Sequence, residues 1–289
     1  MTSENLLEKV KKLRELTGVG FKDCKNAIDE TNGDIEKSIE NLRKKGIAKA
    51  NKKMERVAAD GLVCVTEEKN NFSIVEINSE TDFVAKNSDF ISFAEEISKI
   101  ALNNSGIIEN ILNAKMQSKK NVKDSIVDLI SKIGEKITLR RVFFLDGSKF
   151  LNFSYIHTSL KENVGKLGVL VSLESKKNKN ELKDLGKQLA MHIAASSPLA
   201  IDKNDLDPNI IEKEKEIITE ELKNSGKTPE IADKIAKGKL NKFISDNTLL
   251  NQEWIMEPKK KVKDIIKEVA AKEKIVVKKF VRFKVGEGV

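Results

Sequence analysis

The spacing of apolar residues predicts three short helices at the start of the chain. Those of the first helix are Leu6, Val10, Leu13 and Leu16, which recur every three or four residues. Ser3 is a suitable N-cap for this helix, the sequences TGVG and NGD end the first and second helices, and Asp34 can cap the third. Gly46 is a candidate C-cap. The pattern therefore predicts a small helical bundle over residues 1–46.

From residue 61 the pattern changes to that of strands. Apolar runs with β-branched members over residues 61–66 and 72–78 flank the turn-forming Lys69-Asn70-Asn71 and predict a β-hairpin. The elements predicted next are a helix over residues 88–102 that Ser88 or Asp89 can cap, helical segments over 107–117 and 122–133, and a strand over 137–145.

The same order of elements recurs in the second half of the chain. The predicted elements are strands over residues 152–157 and 168–173, a helix over 181–195, and a closing strand over 275–285. The VVKKFVRF of the closing strand echoes ITLRRVFF of the first half. We therefore expect an α+β fold in which two related subdomains, 61–145 and 146–289, each hold an antiparallel sheet backed by helices.

Two charged segments separate the bundle from the core and interrupt the second repeat. Residues 47–60 form a basic linker that is either a solvated helical face or a weak RNA contact. Strongly helical stretches flank NSGKTP within residues 205–246 and predict an inserted helical hairpin. Trp254, Ile255 and Met256 follow it. These three residues either pack the hairpin base onto the core or form an exposed apolar loop.

A short polar connection between a predicted strand and helix carries both an acid and a large apolar side chain, Asp82 and Phe83. In one interpretation Phe83 turns inward as a core plug and Asp82 caps a local turn. In the other, both face outward, where a surface connection can reach a partner. The spacing alone leaves both interpretations open.

The composition indicates a charged surface and an acidic partner. Of the 289 residues, 39% are hydrophobic and 34% charged, and the net charge is +8. Such a charge suits either nucleic acid or an acidic protein face. Aromatic residues are only 5% of the chain, so a platform for stacking bases is poorly supplied.

No enzyme motif is present in the sequence. We find no phosphate-binding GxxxxGK[ST], HExxH, CxxC or GxSxG, and therefore expect no enzymatic activity, cofactor or metal. Cys24 and His157 fall in separate modules, and His192, on an apolar helix face, is expected to be a core histidine. With no secretory signal and no apolar run near eighteen residues, we expect a cytoplasmic protein, no membrane contact, and reduced thiols at Cys24 and Cys64.

The connection at Asp82 also resembles a family signature. EINSETDFVAK is similar to the TDFVAK signature of bacterial elongation factor Ts, and LRELTGVGFKDCKNAI resembles the second signature of that family. Weaker similarity continues in the family's order through IGEKITLRR, YIH, GVLVSLES, LAMHIAASSP and VRFKVGEG. The resemblance covers nearly the whole chain. It implies a ubiquitin-associated-like bundle, the long form with two core subdomains, and a coiled coil at the inserted hairpin.

What the resemblance implies is guanine-nucleotide exchange on elongation factor Tu. The implied partner-binding residues near the Mg²⁺ site of Tu are Thr81, Asp82, Phe83 and Val84, with Phe83 as a wedge. The other implied contacts are Lys25, His157, Ile255 and Met256. Some family members continue beyond GEG with a further helix that touches Tu, and that contact is expected to be absent here or supplied otherwise. The alternative function is a basic RNA- or ribosome-binding protein, whereas exchange itself requires no direct nucleic-acid contact.

Overall fold

The computed structural model describes residues 3–223 and 228–289, which form helices, strands and their connections. The helices are α1 Ser3–Thr17, α2 Phe21–Glu30, α3 Ile35–Lys53, α4 Asp82–Ala85, α5 Ser88–Asn103, α6 Ile108–Asn113, α7 Val122–Ile133, α8 Lys183–Ser196, α9 Pro208–Lys223, α10 Pro229–Asn247 and α11 Val262–Ala270. The strands are β1 Asp60–Glu68, β2 Asn71–Ser79, β3 Thr138–Leu145, β4 Leu151–Lys161, β5 Val164–Ser175, β6 Glu253–Trp254, β7 Glu257–Lys261 and β8 Ile275–Lys284. This mixture of helices and antiparallel strands confirms the α+β fold.

The N-terminal helices α1, α2 and α3 pack around a small apolar core of their own. Its fully buried members include Leu13, Cys24 and Ile28. Ser3 is the first residue of α1, and its side chain, predicted to be a cap, lies outside the described part of the chain.

The predicted C-cap at Gly46 is wrong, because α3 continues through this residue to Lys53. Gly46 instead lies where α3 crosses α7. A Cβ atom at this position would approach the hydroxyl of Ser131 to 2.4 Å. Its missing side chain thus permits close packing of two helices, a requirement that sequence alone does not distinguish from helix termination.

One antiparallel sheet joins the two repeats. The strand order is β3-β2-β1-β5-β4, and β8 also pairs with β5. Strands β1, β2 and β3 thus form one half, and β4, β5 and β8 form the other. The halves meet through a short pairing of Val63 with Gly165 and Cys64 with Val164. The predicted repeat is present, but the two sheets are hydrogen-bonded into one and not separate.

Helices cover both halves of the sheet on apolar faces. In the first half α5, α6 and α7 share a core with β1 and β2, and in the second half α8 and α11 share one with β4, β5 and β8. Two local predictions need correction. The N-cap of α5 is Asn87, whose side chain accepts hydrogen bonds from the Asp89 and Phe90 amides, and not Ser88 or Asp89. Helix α6 ends at Asn113, well short of residue 117.

The two long helices of the insertion, α9 and α10, pack against each other. Lys239 on α10 forms an ion pair of 2.6 Å with Glu221 on α9, and Leu206 and Ile244 are buried at the base. The first four residues of the predicted link, 224–227, lie outside the described residues. Among the described helices, none is long and apolar enough to span a membrane.

Replacing Gly186 of α8 with alanine is expected to destabilise the fold, although alanine is the better helix former. A Cβ atom there would lie 2.2 Å from the ring of Phe153 on β4, so the helix must move off the sheet. We expect a loss of about 2–3 kcal/mol in the free energy of unfolding. Gly238→Ala on α10 is the matched control. No atom lies within 4 Å of its added Cβ, so that substitution should stabilise by about 0.5–1 kcal/mol. Denaturant titration of both variants tests this prediction, and equal stability of the two would contradict it.

Candidate partner-binding site

A one-turn helix, α4, projects Phe83 from the core. The next two residues, Val84 and Ala85, are buried against the first half of the sheet, with Val84 7% exposed. Since successive side chains on a helix point in different directions, anchoring these two residues leaves the preceding pair facing outward. Phe83 is consequently 79% exposed. The interpretation of Phe83 as a core plug is therefore wrong.

Asp82 lies beside Phe83 within a group of alternating charges. Its carboxylate forms an ion pair of 2.7 Å with Lys86, and this hydrogen bond holds the pKa of Asp82 below its usual range. Lys166 on β5 also lowers the pKa of Asp82, and Lys166 itself forms an ion pair with Asp60 at the start of β1. Asp82 is therefore ionised at neutral pH, and because nearly half of its side chain is exposed, a partner can reach its charge.

Thr81, in contrast, is only partly exposed and is hydrogen-bonded to Glu135. The hydroxyl of Thr81 donates to Glu135 Oε1 at 2.7 Å, and the backbone amides of Glu80 and Thr81 donate to Glu135 Oε2 at 3.1 and 3.0 Å. In return, Glu80 Oε1 accepts the amide of Lys136 at 2.7 Å. We call Glu80, Thr81, Glu135 and Lys136 the glutamate clasp. No local pattern in the sequence predicts the glutamate clasp, because its two sides are separated by 54 residues.

His157 lies on an exposed part of β4, which continues beyond the predicted end at this residue to Lys161. The Tyr155 hydroxyl and His157 Nδ1 share a hydrogen bond of 2.9 Å. His157 pairs with Leu167 on β5, immediately next to the Lys166 whose charge acts on Asp82. His157 is therefore an exposed side chain near the start of β5.

The three residues after the helical hairpin divide between two roles. Trp254 is 3% exposed and stacks on the ring of His192 with centroids 5.1 Å apart. Ile255 and Met256 form the turn between β6 and β7 and are 40% and 43% exposed. Packing thus accounts for Trp254, whereas the two following side chains remain accessible to a partner.

His192 is a core histidine, as its position on an apolar helix face predicts. Its Nε2 lies 2.9 Å from Gln252 Oε1, and its Nδ1 accepts the backbone amide of Ile255 at 3.4 Å. A neutral ring with the proton on Nε2 satisfies both contacts. Burial lowers the pKa of His192, and the hydrogen bond with Gln252 opposes this only in part. The imidazole thereby fixes the start of the turn that exposes Ile255.

The neutral state of His192 makes stability depend on pH. The unfolded chain binds a proton at its histidines near pH 6.5, whereas folded His192 binds one only at lower pH. Its contribution is therefore full above about pH 6.5 and is lost as the pH falls toward the folded pKa. We expect the free energy of unfolding to fall less between about pH 7.5 and about pH 5.5 in His192→Gln than in the wild type. An unchanged slope in His192→Gln would refute the assignment.

Lys25 and Cys24 lie in the helical bundle, whereas Cys64 is buried on β1 in the core beneath α4. Lys25 is exposed on α2, and among the described contacts none joins it to the turn at Phe83. Cys24 is buried in the bundle, where its thiol donates to the Val19 carbonyl at 3.4 Å, so it does not meet His157. Burial raises the pKa of both Cys24 and Cys64. In the described residues no group of His, Cys, Asp and Glu is arranged to hold a metal ion.

Comparison with known proteins places these elements in a family context. The family model described as "Elongation factor TS" matches residues 80–287. Elongation factor Ts of Methylorubrum populi is 46% identical over 283 residues, which cover 97% of this chain and 92% of that protein. Elongation factor Ts of Nitrobacter hamburgensis is 44% identical over 282 residues, with the same coverage of each chain. The match to the family model begins at the turn that carries Phe83 and includes β3, β4, β5 and β8, whereas β1 and β2 precede it.

Proposed function

Because this chain belongs to the elongation factor Ts family of translation elongation factors, we propose that it is a guanine-nucleotide exchange factor for elongation factor Tu. It binds the GDP-loaded partner, disturbs the partner's Mg²⁺ site and promotes release of GDP, so that GTP can bind. The observation that carries this proposal is the exposed Phe83 beside the ionised Asp82, on a turn anchored in the core.

Exchange of this kind requires differential binding and no catalytic group. A nucleotide held with nanomolar affinity is bound by about 12 kcal/mol, and each ~1.4 kcal/mol removed weakens it tenfold. Much of this affinity depends on the Mg²⁺ ion that bridges phosphate and protein. A surface that binds the nucleotide-free state more tightly than the loaded state lowers nucleotide affinity by the same factor. We therefore propose that the protein acts by binding alone and is not an enzyme.

The proposed roles follow from what each side chain exposes. Phe83 enters a gap between apolar side chains of Tu, because burying an exposed aromatic ring supplies a large favourable energy. Asp82 acts by charge: it leaves Lys86 and competes for groups around the Mg²⁺ site. Thr81 and Val84 hold these two residues in place.

The remaining residues each supply a different kind of contact. Ile255 and Met256 supply exposed apolar area, and His157 supplies an exposed polar side chain on β4. Lys25 contributes from the bundle as a separate docking point, which suits a helical unit with a core of its own. We propose that all of these residues contact Tu through exposed side chains rather than through a pocket.

Release of a fluorescent GDP analogue from elongation factor Tu tests the proposal. Catalytic amounts of the protein should accelerate release, and excess GDP should displace the protein from Tu because the coupling is reciprocal. The net charge of +8 favours RNA binding as the alternative function. Steeply salt-dependent RNA binding together with an unchanged rate of GDP release would support that alternative and overturn the exchange proposal.

A further inference from the structure

The connection between β2 and α4 donates three hydrogen bonds to one carboxylate, that of Glu135, in the connection between α7 and β3. Glu135 follows α7, whereas the amides and hydroxyl it accepts belong to Glu80 and Thr81, just before α4. Thr81 is the N-cap residue of α4 but makes no side-chain hydrogen bond within that helix. Its hydroxyl is committed to Glu135 instead, so the start of α4 is held by a distant segment rather than by its own cap.

The opposite side of the glutamate clasp is equally constrained. The carboxylate of Glu80 accepts the Lys136 amide and pairs with Arg56 at 3.2 Å. The ammonium group of Lys136 donates to the carbonyls of Met54 and Arg56 at 2.7 and 2.8 Å. Each glutamate thus binds the backbone next to the other, and the pair is anchored to the segment that leads into β1.

We propose that Glu135 is a positioning residue that sets the direction in which Phe83 and Asp82 leave the core. The inference rests on the proposed exchange function, because the direction of Phe83 matters only if its ring contacts Tu. The ring of Phe83 is too exposed to be fixed by its own packing. Its orientation depends on the backbone on each side: Val84 and Ala85 are buried after it, and the carboxylate of Glu135 holds Glu80 and Thr81 before it.

Without Glu135 the turn must become ordered when the partner binds. Fixing one backbone residue costs roughly 1–2 kcal/mol, which corresponds to roughly a tenfold loss of affinity. The contacts themselves can still form once the turn is ordered. We therefore expect a higher half-maximal concentration for exchange, with a smaller change in the rate at saturation.

The test compares Glu135→Ala and Glu135→Gln with the wild type in GDP release from elongation factor Tu. Glu135→Ala should raise the half-maximal concentration roughly tenfold. Glu135→Gln keeps an oxygen for the two amides and places its NH₂ beside the Thr81 hydroxyl, so it should remain within about threefold of wild type. Glu109→Ala, at an exposed glutamate of α6, is the matched control and should behave as wild type.

Amide hydrogen exchange provides a readout that is independent of Tu. The amides of Glu80 and Thr81 should exchange faster in Glu135→Ala, whereas the amide of Ile77 in β2 should keep its protection. Wild-type behaviour of Glu135→Ala in either assay would overturn the positioning role. A large loss of thermal stability without recovery in Glu135→Gln would also overturn it, in favour of a purely structural role.

Failure of the exchange function itself would look different. If the wild-type protein does not stimulate GDP release, the proposed function is wrong, and a role of Glu135 in exchange is wrong with it. If the wild type stimulates release and Glu135→Ala matches it at every concentration, the function stands and only the positioning inference is wrong.

Discussion

Replacing Phe83 with alanine is expected to abolish most nucleotide exchange while the fold remains intact. The ring is 79% exposed and contributes little to the core, so the free energy of unfolding should change by less than about 0.5 kcal/mol. In the proposed interface Phe83 is a central aromatic anchor. Its removal should therefore lower the coupling free energy between this protein and the nucleotide on Tu by about 2 kcal/mol or more, which is about a thirtyfold loss of the effect on GDP affinity. GDP release from elongation factor Tu and thermal unfolding of the same variant measure the two quantities.

Two control variants separate the wedge from simpler explanations. Val84→Ala removes the adjacent buried side chain and should lower stability by about 2 kcal/mol, whereas Phe83→Ala should leave stability nearly unchanged. Ile217→Ala removes an exposed apolar side chain on α9 and should leave both stability and exchange unchanged. A large fall in melting temperature for Phe83→Ala, or normal GDP release with an intact fold, would end the wedge hypothesis.

Removing the carboxylate of Glu76 is expected to have the largest effect on stability. Glu76 is fully buried on β2 and forms ion pairs with Arg140, at 3.0 Å, and Arg141. It also accepts the Gly286 amide at 3.0 Å, so it joins the first half of the sheet to the chain segment after β8. Glu76→Ala leaves these donors without their shared acceptor and should cost about 3–5 kcal/mol of stability.

The pH dependence of the same group gives a second measurement. Burial acts to raise the pKa of Glu76, but hydrogen bonds from Gly286, Asn78 and Arg141 outweigh it and hold the pKa below its usual range. Its stabilisation is therefore present above the unfolded pKa near 4.3 and is lost as the pH falls through the folded pKa. Denaturant titrations over this acidic range should show that the free energy of unfolding falls less with decreasing pH in Glu76→Ala than in the wild type.

Glu67→Ala supplies the comparison for Glu76. Glu67 is on β1 of the same sheet, its carboxylate is half exposed, and its surface ion pair with Lys179 should contribute no more than about 1 kcal/mol. If Glu76→Ala destabilises the protein as little as Glu67→Ala does, the buried network does not hold the two segments together.

The sequence predicted most elements of this fold because their patterns are local. Helix α7 has the predicted bounds, and the repeated order of strand, strand, helix and closing strand is present in both halves. The joining of the halves into one sheet was not predicted, since it depends on only two residue pairs between β1 and β5. Pairing over so few residues leaves no periodic signal in the sequence.

The candidate site shows a similar limit. The sequence identified the stretch around Phe83 but could not assign the direction of its side chain, because that direction depends on which residues of α4 pack on the sheet. Residues whose role depends on a distant segment were missed altogether. Glu135 lies within IGEKITLRR, a stretch that resembles the elongation factor Ts family. However, no local sequence pattern connects its carboxylate with the amides of Glu80 and Thr81.

The affinity of the protein for nucleotide-free elongation factor Tu, compared with that for Tu bound to GDP and Mg²⁺, tests the central claim most directly. Titration calorimetry can measure both dissociation constants under the same conditions. We expect tighter binding to the nucleotide-free state, by the same factor by which the protein weakens the affinity of Tu for GDP, because the two equilibria share one coupling free energy. Equal affinity for the two states would contradict the claim, since a protein that binds both equally cannot shift the nucleotide equilibrium.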